Sequence, residues 1–262
     1  MKADLAKLYG PAFYRTANRE SANSAHVCVP LIVQLLHPSS VVDVGCGQGE
    51  WLKVLGELGV NDYQGIDGNH VADDQLLIPR ERFTRHDLTQ PLKLDRRFDV
   101  ALSLEVAEHL PARTAAAFVR TLVGLASAVV FSAAVPGQGG IHHINEQWPW
   151  YWKELFGREG YVQLDPFRQV LWKQRDVAVY YQHNLFLFVD PAVHQDLVEK
   201  IGVPDRLQEL TLVRTQILQE LTQANWAVRL FHRVWNRASR LVGRRVCVPQ
   251  SAQRGTGPTA AR

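Results

Sequence analysis

The chain has 262 residues, of which 46% are hydrophobic, and its formal net charge is +3. This length and composition exclude a fibrous or wholly disordered chain and fit one main globular domain with extensions. Three cysteines (Cys28, Cys46 and Cys247) are too widely spaced for a disulfide framework or a C-x-x-C metal motif, which favours a reducing compartment. Residues 1–10 lack the apolar core of a signal peptide, and the apolar run 122–136 is too short to span a bilayer. We therefore expect a cytoplasmic protein.

The positive charge is concentrated at the end of the chain. Residues 221–262 contain eight arginines and no acidic residue, and the remaining 21 bases and 26 acids give residues 1–220 a net charge of −5. The overall basicity therefore does not indicate a nucleic-acid interface on the main domain, and we expect no nucleic-acid partner.

After a predicted helical segment at residues 1–37, the stretch 41–51 is the most informative part of the chain. A β-branched run leads into three alternate glycines and then into residues that can open a helix. This order predicts a first strand, a tight turn and a helix start, where backbone N–H groups can approach a ligand. The glycines are Gly45, Gly47 and Gly49. A dinucleotide motif would need glycine at position 50, but Glu50 would meet the pyrophosphate there, so an NAD-dependent enzyme is disfavoured.

The next elements continue an alternation of helices and strands. A helix is predicted over 51–58 and a second strand over 62–66, which ends in Asp67 and Gly68. An acid at this point, 18 residues past Gly49, can accept hydrogen bonds from both hydroxyls of a ribose. A short third strand is predicted within 82–88 and a buried fourth strand over 99–104.

Three polar residues follow the fourth strand. We predict one helical turn, ended by Pro111, which would place Glu105 near Glu108 and His109. Open α/β sheets bind their ligands at the carboxyl ends of the strands, so this turn is predicted to border the ligand crevice.

Two motifs together resemble those of the class I S-adenosylmethionine (SAM) dependent methyltransferases. They are D-x-G-C-G-x-G at 43–49 and Ser-Leu-Glu-Val-Ala-Glu-His-Leu at 103–110, and the second is similar to the small-molecule enzymes related to the ubiquinone pathway and to sugar and natural-product O-methyltransferases. The resemblance covers about residues 24–190. It implies an α/β fold with a Rossmann-like seven-stranded sheet, helices on both faces and an antiparallel last pair of strands. It also implies SAM as the cofactor.

The resemblance further implies which residues contact the cofactor. They are Asp43, Gly45, Cys46, Gly47, Gly49, Asp67, Gly68, Asp87, Leu88, Leu104 and Glu105. Asp87 would take the adenine amine and Leu88 would lie against the ring. The helical segment 1–37 would cover the cofactor as a lid, with Phe13 and Tyr14 as candidate covers.

A segment rich in glycine, histidine and tryptophan follows a helix predicted over 114–125 and a fifth strand over 128–133. It runs from Pro136 to Trp152 and borders the same crevice. Aromatic faces can stack on the C–H surface of a sugar while amides and carboxylates bond its hydroxyls, which favours a polyhydroxylated acceptor. The candidate substrate contacts are Tyr14, Glu108, Asn145, Glu146 and Trp148. An aromatic helix start packed on the sheet is the alternative explanation.

Two further strands are predicted at 169–172 and 184–189, and from residue 191 the chain changes character. The predicted domains are a helical lid at 1–37, the methyltransferase domain at 38–190, a helical extension at 191–248 and a disordered tail at 249–262. A short heptad seam (Leu207, Leu210, Ile217 and Leu221) would fit a helical hairpin or a homodimer contact. From Trp226 to Arg245 a basic amphipathic helix is predicted, which suits peripheral contact with the inner membrane surface or packing on the acidic core.

The sequence favours O-methylation of a sugar hydroxyl in a glycan, a glycolipid or a glycosylated natural product. A hydroxyl must lose its proton, and His109, His142 and His143 are the candidate general bases. A divalent metal is not favoured, because no tight ligand motif is present, but Glu105, His109 and His143 are the alternative ligands. There are two other hypotheses. The chain could be an N- or C-methyltransferase for another small molecule, or a catalytically silent SAM-binding scaffold at a membrane.

Overall fold

The computed structural model describes residues 11–204, with side chains described from residue 20 onward. The predicted cover Tyr14, the heptad seam and the basic helix at 226–245 therefore lie outside the described side chains. Within 11–204 no helix is both long enough and apolar enough to cross a membrane.

A seven-stranded sheet forms the centre of the described fold. Its strands are β1 (Ser40–Val44), β2 (Asp62–Asp67), β3 (Phe83–Arg85), β4 (Phe98–Leu104), β5 (Ala126–Ser132), β6 (Val162–Leu164) and β7 (Phe186–Val189). The spatial order is β3-β2-β1-β4-β5-β7-β6. The first five strands are parallel, whereas β7 runs antiparallel to both β5 and β6. The strand order reverses between β1 and β4, and such a switch point is where α/β sheets bind ligands.

Helices cover both faces of this sheet. They are α1 (Pro11–Leu36), α2 (Glu50–Glu57), α3 (Ala115–Leu125), α4 (Pro149–Arg158), α5 (Arg168–Leu171), α6 (Val179–Asn184) and α7 (Gln195–Ile201). Buried residues of α1 and α2 share one apolar cluster with residues of α5 to α7, and those of α3 and α4 share another. Every residue of β1 is buried, as expected of a strand that is covered on both faces. The predicted Rossmann-like architecture is confirmed.

The aromatic side chains of β5, β7 and α4 pack together on one face of the sheet. Phe156 stacks on Phe188 with ring centroids 3.9 Å apart, and both contact the Phe131 ring. Trp152 lies 5.1 Å from Phe131, centroid to centroid. Trp152 and Phe156 are therefore core residues, which was the alternative explanation for the start of this aromatic helix.

The strand predicted at 169–172 is wrong, because these residues belong to helix α5 and the turn that follows it. The sixth strand is instead β6, at Val162–Leu164, which pairs with β7. Asp165 explains the helix start: its carboxylate accepts the Arg168 backbone N–H at 3.4 Å and the Arg168 guanidinium at 2.6 Å. Both contacts are local in sequence, so they stabilise a helical turn immediately after β6.

Candidate active site

The turn after β1 brings the glycine motif against the segment that follows β4. Gly45, Gly47 and Gly49 all have positive φ angles, and the Gly45 N–H donates to the Ile66 carbonyl of β2 at 2.7 Å. A Cβ atom on Gly45 would lie only 2.3 Å from Val106 Cγ2. Glycine is thus required at Gly45 both by its φ of 93° and by this close approach.

Asp67 lies at the end of β2, as predicted, and its carboxylate connects two turns. Oδ2 accepts the Gly47 N–H at 2.6 Å and Oδ1 accepts the Gly68 N–H at 2.6 Å. His70 Nε2 is 3.4 Å from Oδ1. Burial raises the pKa of Asp67, while His70 and the two backbone hydrogen bonds oppose that rise. Asp67 therefore holds the glycine turn in shape, and its contact with a ribose stays a prediction.

Three buried carboxyl groups, those of Asp43, Glu50 and Asp67, surround the glycine turn. Burial raises the pKa of Asp43 well above its usual value, and the charges of Asp67 and Glu50 raise it further. Burial likewise raises the pKa of Glu50 to about 7, and Glu50 Oε1 is buried without a hydrogen-bond partner in the described part of the chain. A cationic ligand would relieve this repulsion, and SAM carries an ammonium and a sulfonium. The residues present therefore fit SAM and do not fit a pyrophosphate.

The other predicted cofactor contacts near this turn differ in exposure. Asp87 is exposed, and its Oδ1 accepts the Thr89 N–H at 3.0 Å and the Thr89 hydroxyl at 2.6 Å. Leu88 is half-buried against the apolar cluster of α3 and α4. Cys46 is buried among apolar side chains, and burial raises the pKa of its thiol well above the usual value. The adenine contacts of Asp87 and Leu88 stay predictions.

The segment after β4 does not form the predicted α-helical turn. Glu105, which follows the buried Leu104, has a φ of 54°, and a short 3-10 helix covers Ala107–His109. The Glu105 N–H donates to the Ser132 carbonyl of β5 at 3.0 Å, which keeps this residue at the strand end. Glu105 Oε2 accepts the Gln138 side-chain amide at 2.7 Å. A residue other than glycine in this conformation is strained, and such strain is concentrated at functional sites.

The structure brings Glu108, His109 and His143 together; we refer to these three residues as the carboxylate–histidine cluster. One ligand atom from each lies within 4.8 Å of the others. The rings of His109 and His143 meet edge to face with centroids 4.8 Å apart, and His143 Nε2 is 4.0 Å from Glu108 Oε1. Burial raises the pKa of Glu108 well above its usual value, and the neighbouring Glu105 raises it further. Burial lowers the pKa of His109 to about 4, and His143 also lowers it.

The loop before α4 carries the remaining predicted site residues. Glu146 accepts the Gly137 N–H at 2.6 Å, the Gly139 N–H at 3.1 Å and His143 Nδ1 at 3.1 Å. Asn145 is buried, its N–H donates to the Glu108 carbonyl at 3.0 Å, and its side-chain oxygen accepts from Gln147. Trp148 is half-buried at the cap position of α4. These contacts are all within the protein, so the substrate contacts of Asn145, Glu146 and Trp148 stay predictions.

Four residues of the site were missed by the sequence analysis. Glu50 was considered only as an obstacle to a pyrophosphate, although it is one of three buried acids. His70 lies three residues after Asp67, and Gln138 joins Glu105 to Asn184 through two side-chain hydrogen bonds of 2.7 and 2.8 Å. Tyr180 of α6 is close enough that Glu105 and Glu108 help to raise its pKa. The i, i+3 spacing of Asp67 and His70 was the one available signal.

His142 has a φ of 61°, and its buried Nδ1 has no hydrogen-bond partner within residues 20–204. It contributes its charge to the lowered pKa of His109 but is not one of the three clustered ligand atoms. The three histidines predicted as candidate bases therefore do lie near one another.

Residues 18–154, just over half of the chain, match a family model described as a methyltransferase domain. No curated protein sequence matches. Among solved structures, the chain is 14% identical, with a TM-score of 0.50, to an amino pentose methyltransferase from Micromonospora echinaspora involved in calicheamicin biosynthesis; the match covers 68% of this chain and 96% of that one.

Two further structures have lower TM-scores. The methyltransferase domain of bacterial CtHen1 is 19% identical with a TM-score of 0.46, covering 63% of this chain and 96% of that one. The magnesium protoporphyrin IX methyltransferase of Synechocystis, with bound S-adenosylhomocysteine, is 18% identical with a TM-score of 0.45, covering 62% and 84%. The family match and the seven-stranded sheet with its glycine turn agree: the chain belongs to the class I SAM-dependent methyltransferases.

Proposed function

We propose that the chain is an O-methyltransferase that transfers the methyl group of SAM to a sugar hydroxyl in a glycan, a glycolipid or a glycosylated natural product. The contact between Gly45 and Val106 is the observation that carries this proposal. It fixes the cofactor turn directly against the segment that contains Glu105, Glu108 and His109. A methyl donor held by the glycine turn would therefore lie beside the carboxylate–histidine cluster.

The cofactor part of the site is formed by acids and by backbone. Asp43, Glu50 and Asp67 are buried acids whose charged forms burial disfavours and a cationic cofactor would stabilise. Asp67 also keeps the glycine turn open through its bonds to the Gly47 and Gly68 amides. This arrangement is preorganised, so little reorganisation is needed when the cofactor binds.

The reaction is an in-line displacement. The acceptor oxygen forms an O–C bond as the C–S bond of the sulfonium breaks, the electron pair stays on sulfur to give S-adenosylhomocysteine, and the hydroxyl proton goes to a base. The protein must position the acceptor behind the methyl group and lower the cost of removing that proton.

His143 is the candidate base that the structure orients best. Its Nδ1 is held 3.1 Å from Glu146 Oε1, which leaves Nε2 pointing toward the cluster. A carboxylate on one ring nitrogen fixes the ring and stabilises the protonated form, as in catalytic triads. The same atoms could instead hold a divalent ion that acidifies the hydroxyl.

The choice of a sugar rests on the side chains that border the cluster. Trp150 is 42% exposed and Ile144 is 52% exposed, both within the loop and helix start that follow β5. They are exposed apolar faces on the same segment as the polar residues Asn145 and Glu146, a combination that suits the C–H and O–H surfaces of a sugar ring. The amino pentose methyltransferase that shares this fold acts on a sugar, which agrees with the proposal.

The experiment is to incubate the full chain with SAM and a panel of glycosides and measure S-adenosylhomocysteine, with the product analysed by NMR. A sugar methyl ether is the expected product, and activity should be lost in His143→Ala. A methyl group found on nitrogen or carbon would contradict O-methylation, and turnover only with acceptors that lack a sugar would contradict the acceptor class.

A further inference from the structure

We propose that Glu108, His109 and His143, with Glu105 beside them, bind one divalent transition-metal ion at the acceptor side of the crevice. The sequence alone did not favour an ion, because the ligands come from two segments more than thirty residues apart. The fold brings these segments together: the backbone N–H groups of Ile144 and Asn145 both donate to the Glu108 carbonyl, at 2.9 and 3.0 Å.

The spacing of the ligand atoms is close to that of a bound ion. Those of Glu108, His109 and His143 lie within 4.8 Å of one another. Ligands about 2.1 Å from an ion can be at most about 4.2 Å apart, so the three groups need to close by roughly half an ångström. His143 Nε2 and Glu108 Oε1, at 4.0 Å, are already within that limit and too far apart for a hydrogen bond.

The buried Glu108 carboxylate is a second, independent observation that points to a cation. Its side chain has no exposed surface, and neither carboxylate oxygen has a described partner within full hydrogen-bond geometry; the backbone N–H groups of Glu108 and Ala134 are only near enough to lower its pKa somewhat. Glu105 Oε1, next to it, is likewise buried without a partner. Leaving buried carboxylate oxygens unpaired is costly, and coordination to a cation is one of the few arrangements that satisfies them.

Both histidines are oriented as metal ligands usually are. His143 bonds Glu146 through Nδ1, which directs Nε2 to the cluster. His109 is bonded to the backbone of His142, an interaction that works to raise its pKa. Metal-bound histidines almost always donate their second ring N–H to a carboxylate or a backbone carbonyl.

One carboxylate and two imidazoles favour an ion such as Mn²⁺, Co²⁺ or Zn²⁺ over Ca²⁺ or Mg²⁺, which prefer oxygen ligands. The use of the ion rests on the proposed function: bound to the acceptor hydroxyl, it would lower the pKa of that hydroxyl and orient it. The histidines would then act through the ion and not as free bases. A proton shared between Glu105 and Glu108 is the competing explanation of the unpaired oxygens.

The test uses the metal-depleted full chain titrated with Co²⁺, without SAM or acceptor, while the visible absorption of the ion is followed. We expect saturable binding of one ion per chain, with affinity reduced about tenfold or more in Glu108→Gln and in His143→Ala. His26→Ala is the matched control, because it removes an exposed histidine on α1 and should leave the titration unchanged.

Pulsed EPR of the Mn²⁺ complex of the unaltered chain is a second measurement. It needs no substituted chain, so it holds even if a variant fails to fold. Nitrogen couplings from imidazole are expected. Absence of saturable binding, or equal binding in the wild type and both cluster variants, overturns the metal site and supports the shared proton. Because no methyl transfer is involved, this result is independent of whether the proposed O-methyltransferase activity is found.

Discussion

Gly45 and Val106 are in direct contact, since a Cβ atom on Gly45 would lie 2.3 Å from Val106 Cγ2 and 2.8 Å from Cγ1. The two residues belong to the two motifs on which the family resemblance rests. Their contact gives a physical reason for both motifs to occur together: the first leaves room for the second, and the second closes one side of the cofactor turn.

We expect Gly45→Ala to destabilise the fold more than Gly59→Ala. Both glycines have a φ near 90°, but a Cβ on Gly59 would meet no atom of the described residues within 4 Å. Backbone strain should cost about 1–2 kcal/mol in each variant, and overpacking should add about 1–3 kcal/mol in Gly45→Ala alone. Urea unfolding measures the difference. Val106→Ala in the Gly45→Ala background should recover part of it, and equal losses in the two single variants would contradict the contact.

Asp67→Ala should weaken SAM binding by about tenfold or more. The change removes a charged acceptor from two backbone N–H groups, and charge-assisted hydrogen bonds contribute about 1.5–3 kcal/mol each. Calorimetry with SAM measures the affinity. Asp62→Ala, at the other end of β2, removes a partly exposed acid and should leave SAM affinity unchanged. An unchanged SAM affinity in Asp67→Ala would contradict the assignment of Asp67 to the cofactor site.

Glu50 should make the ligand-free chain less stable as the pH rises from 5 to 8. Its pKa is about 7 in the fold against 4.5 ordinarily, so the folded chain binds more protons than the unfolded chain in this range. The stabilising contribution of protonated Glu50 is fully present below pH 4.5 and is lost as the pH rises through about 7. This loss lowers the free energy of unfolding by about 3 kcal/mol.

Chemical denaturation at pH 5 and pH 8 tests this effect of pH. Glu50→Gln should flatten the dependence, whereas Glu57→Gln, an exposed acid at the end of the same helix, should not. SAM should bind more tightly at pH 8 than at pH 6, because the ionised Glu50 favours a cation. The same pH dependence of stability in Glu50→Gln and in the wild type would show that another group is responsible.

Glu146→Gln should reduce turnover about ten- to a hundredfold with nearly unchanged SAM affinity. The substitution removes the charge that orients His143, the base of the proposed reaction. Steady-state methyl transfer and SAM calorimetry separate the two quantities. His26→Ala serves as the control, and full turnover in the Glu146→Gln, His143→Ala double variant would exclude this pair from the reaction.

The sequence predicted the parallel half of the fold well, because its signals are local. The β-branched run before Gly45, the acid at the end of β2 and the apolar fourth strand each determine one element. The last strands were harder: β6 has only three residues, and Asp165 diverts the following segment into a helix through contacts with Arg168. A short apolar run does not distinguish between a strand and a buried helix.

The sequence named Glu105, Glu108, His109 and His143 as candidates but could not predict how they are arranged. The spacing of three and four residues predicted that Glu105 shares a helical face with Glu108 and His109. In the structure, the positive φ of Glu105 turns the chain and a 3-10 helix follows. The buried unpaired oxygens of Glu108 depend on packing between distant segments, and no local pattern reports them. Glu50 was missed for the same reason, whereas for His70 the i, i+3 spacing from Asp67 was a local signal.

The Glu146 carboxylate connects separate parts of the loop before α4. One carboxylate holds the amides of Gly137 and Gly139 and also the ring of His143. A ligand that binds the His143 ring changes the strength of the Glu146 hydrogen bonds to the glycine amides. Ligand binding at the carboxylate–histidine cluster and the order of the loop are therefore thermodynamically linked. An acceptor that orders the loop would tighten the grip on His143, and a ligand bound by His143 would prepare the loop for the acceptor. Recognition and activation of the acceptor would then be two aspects of one equilibrium.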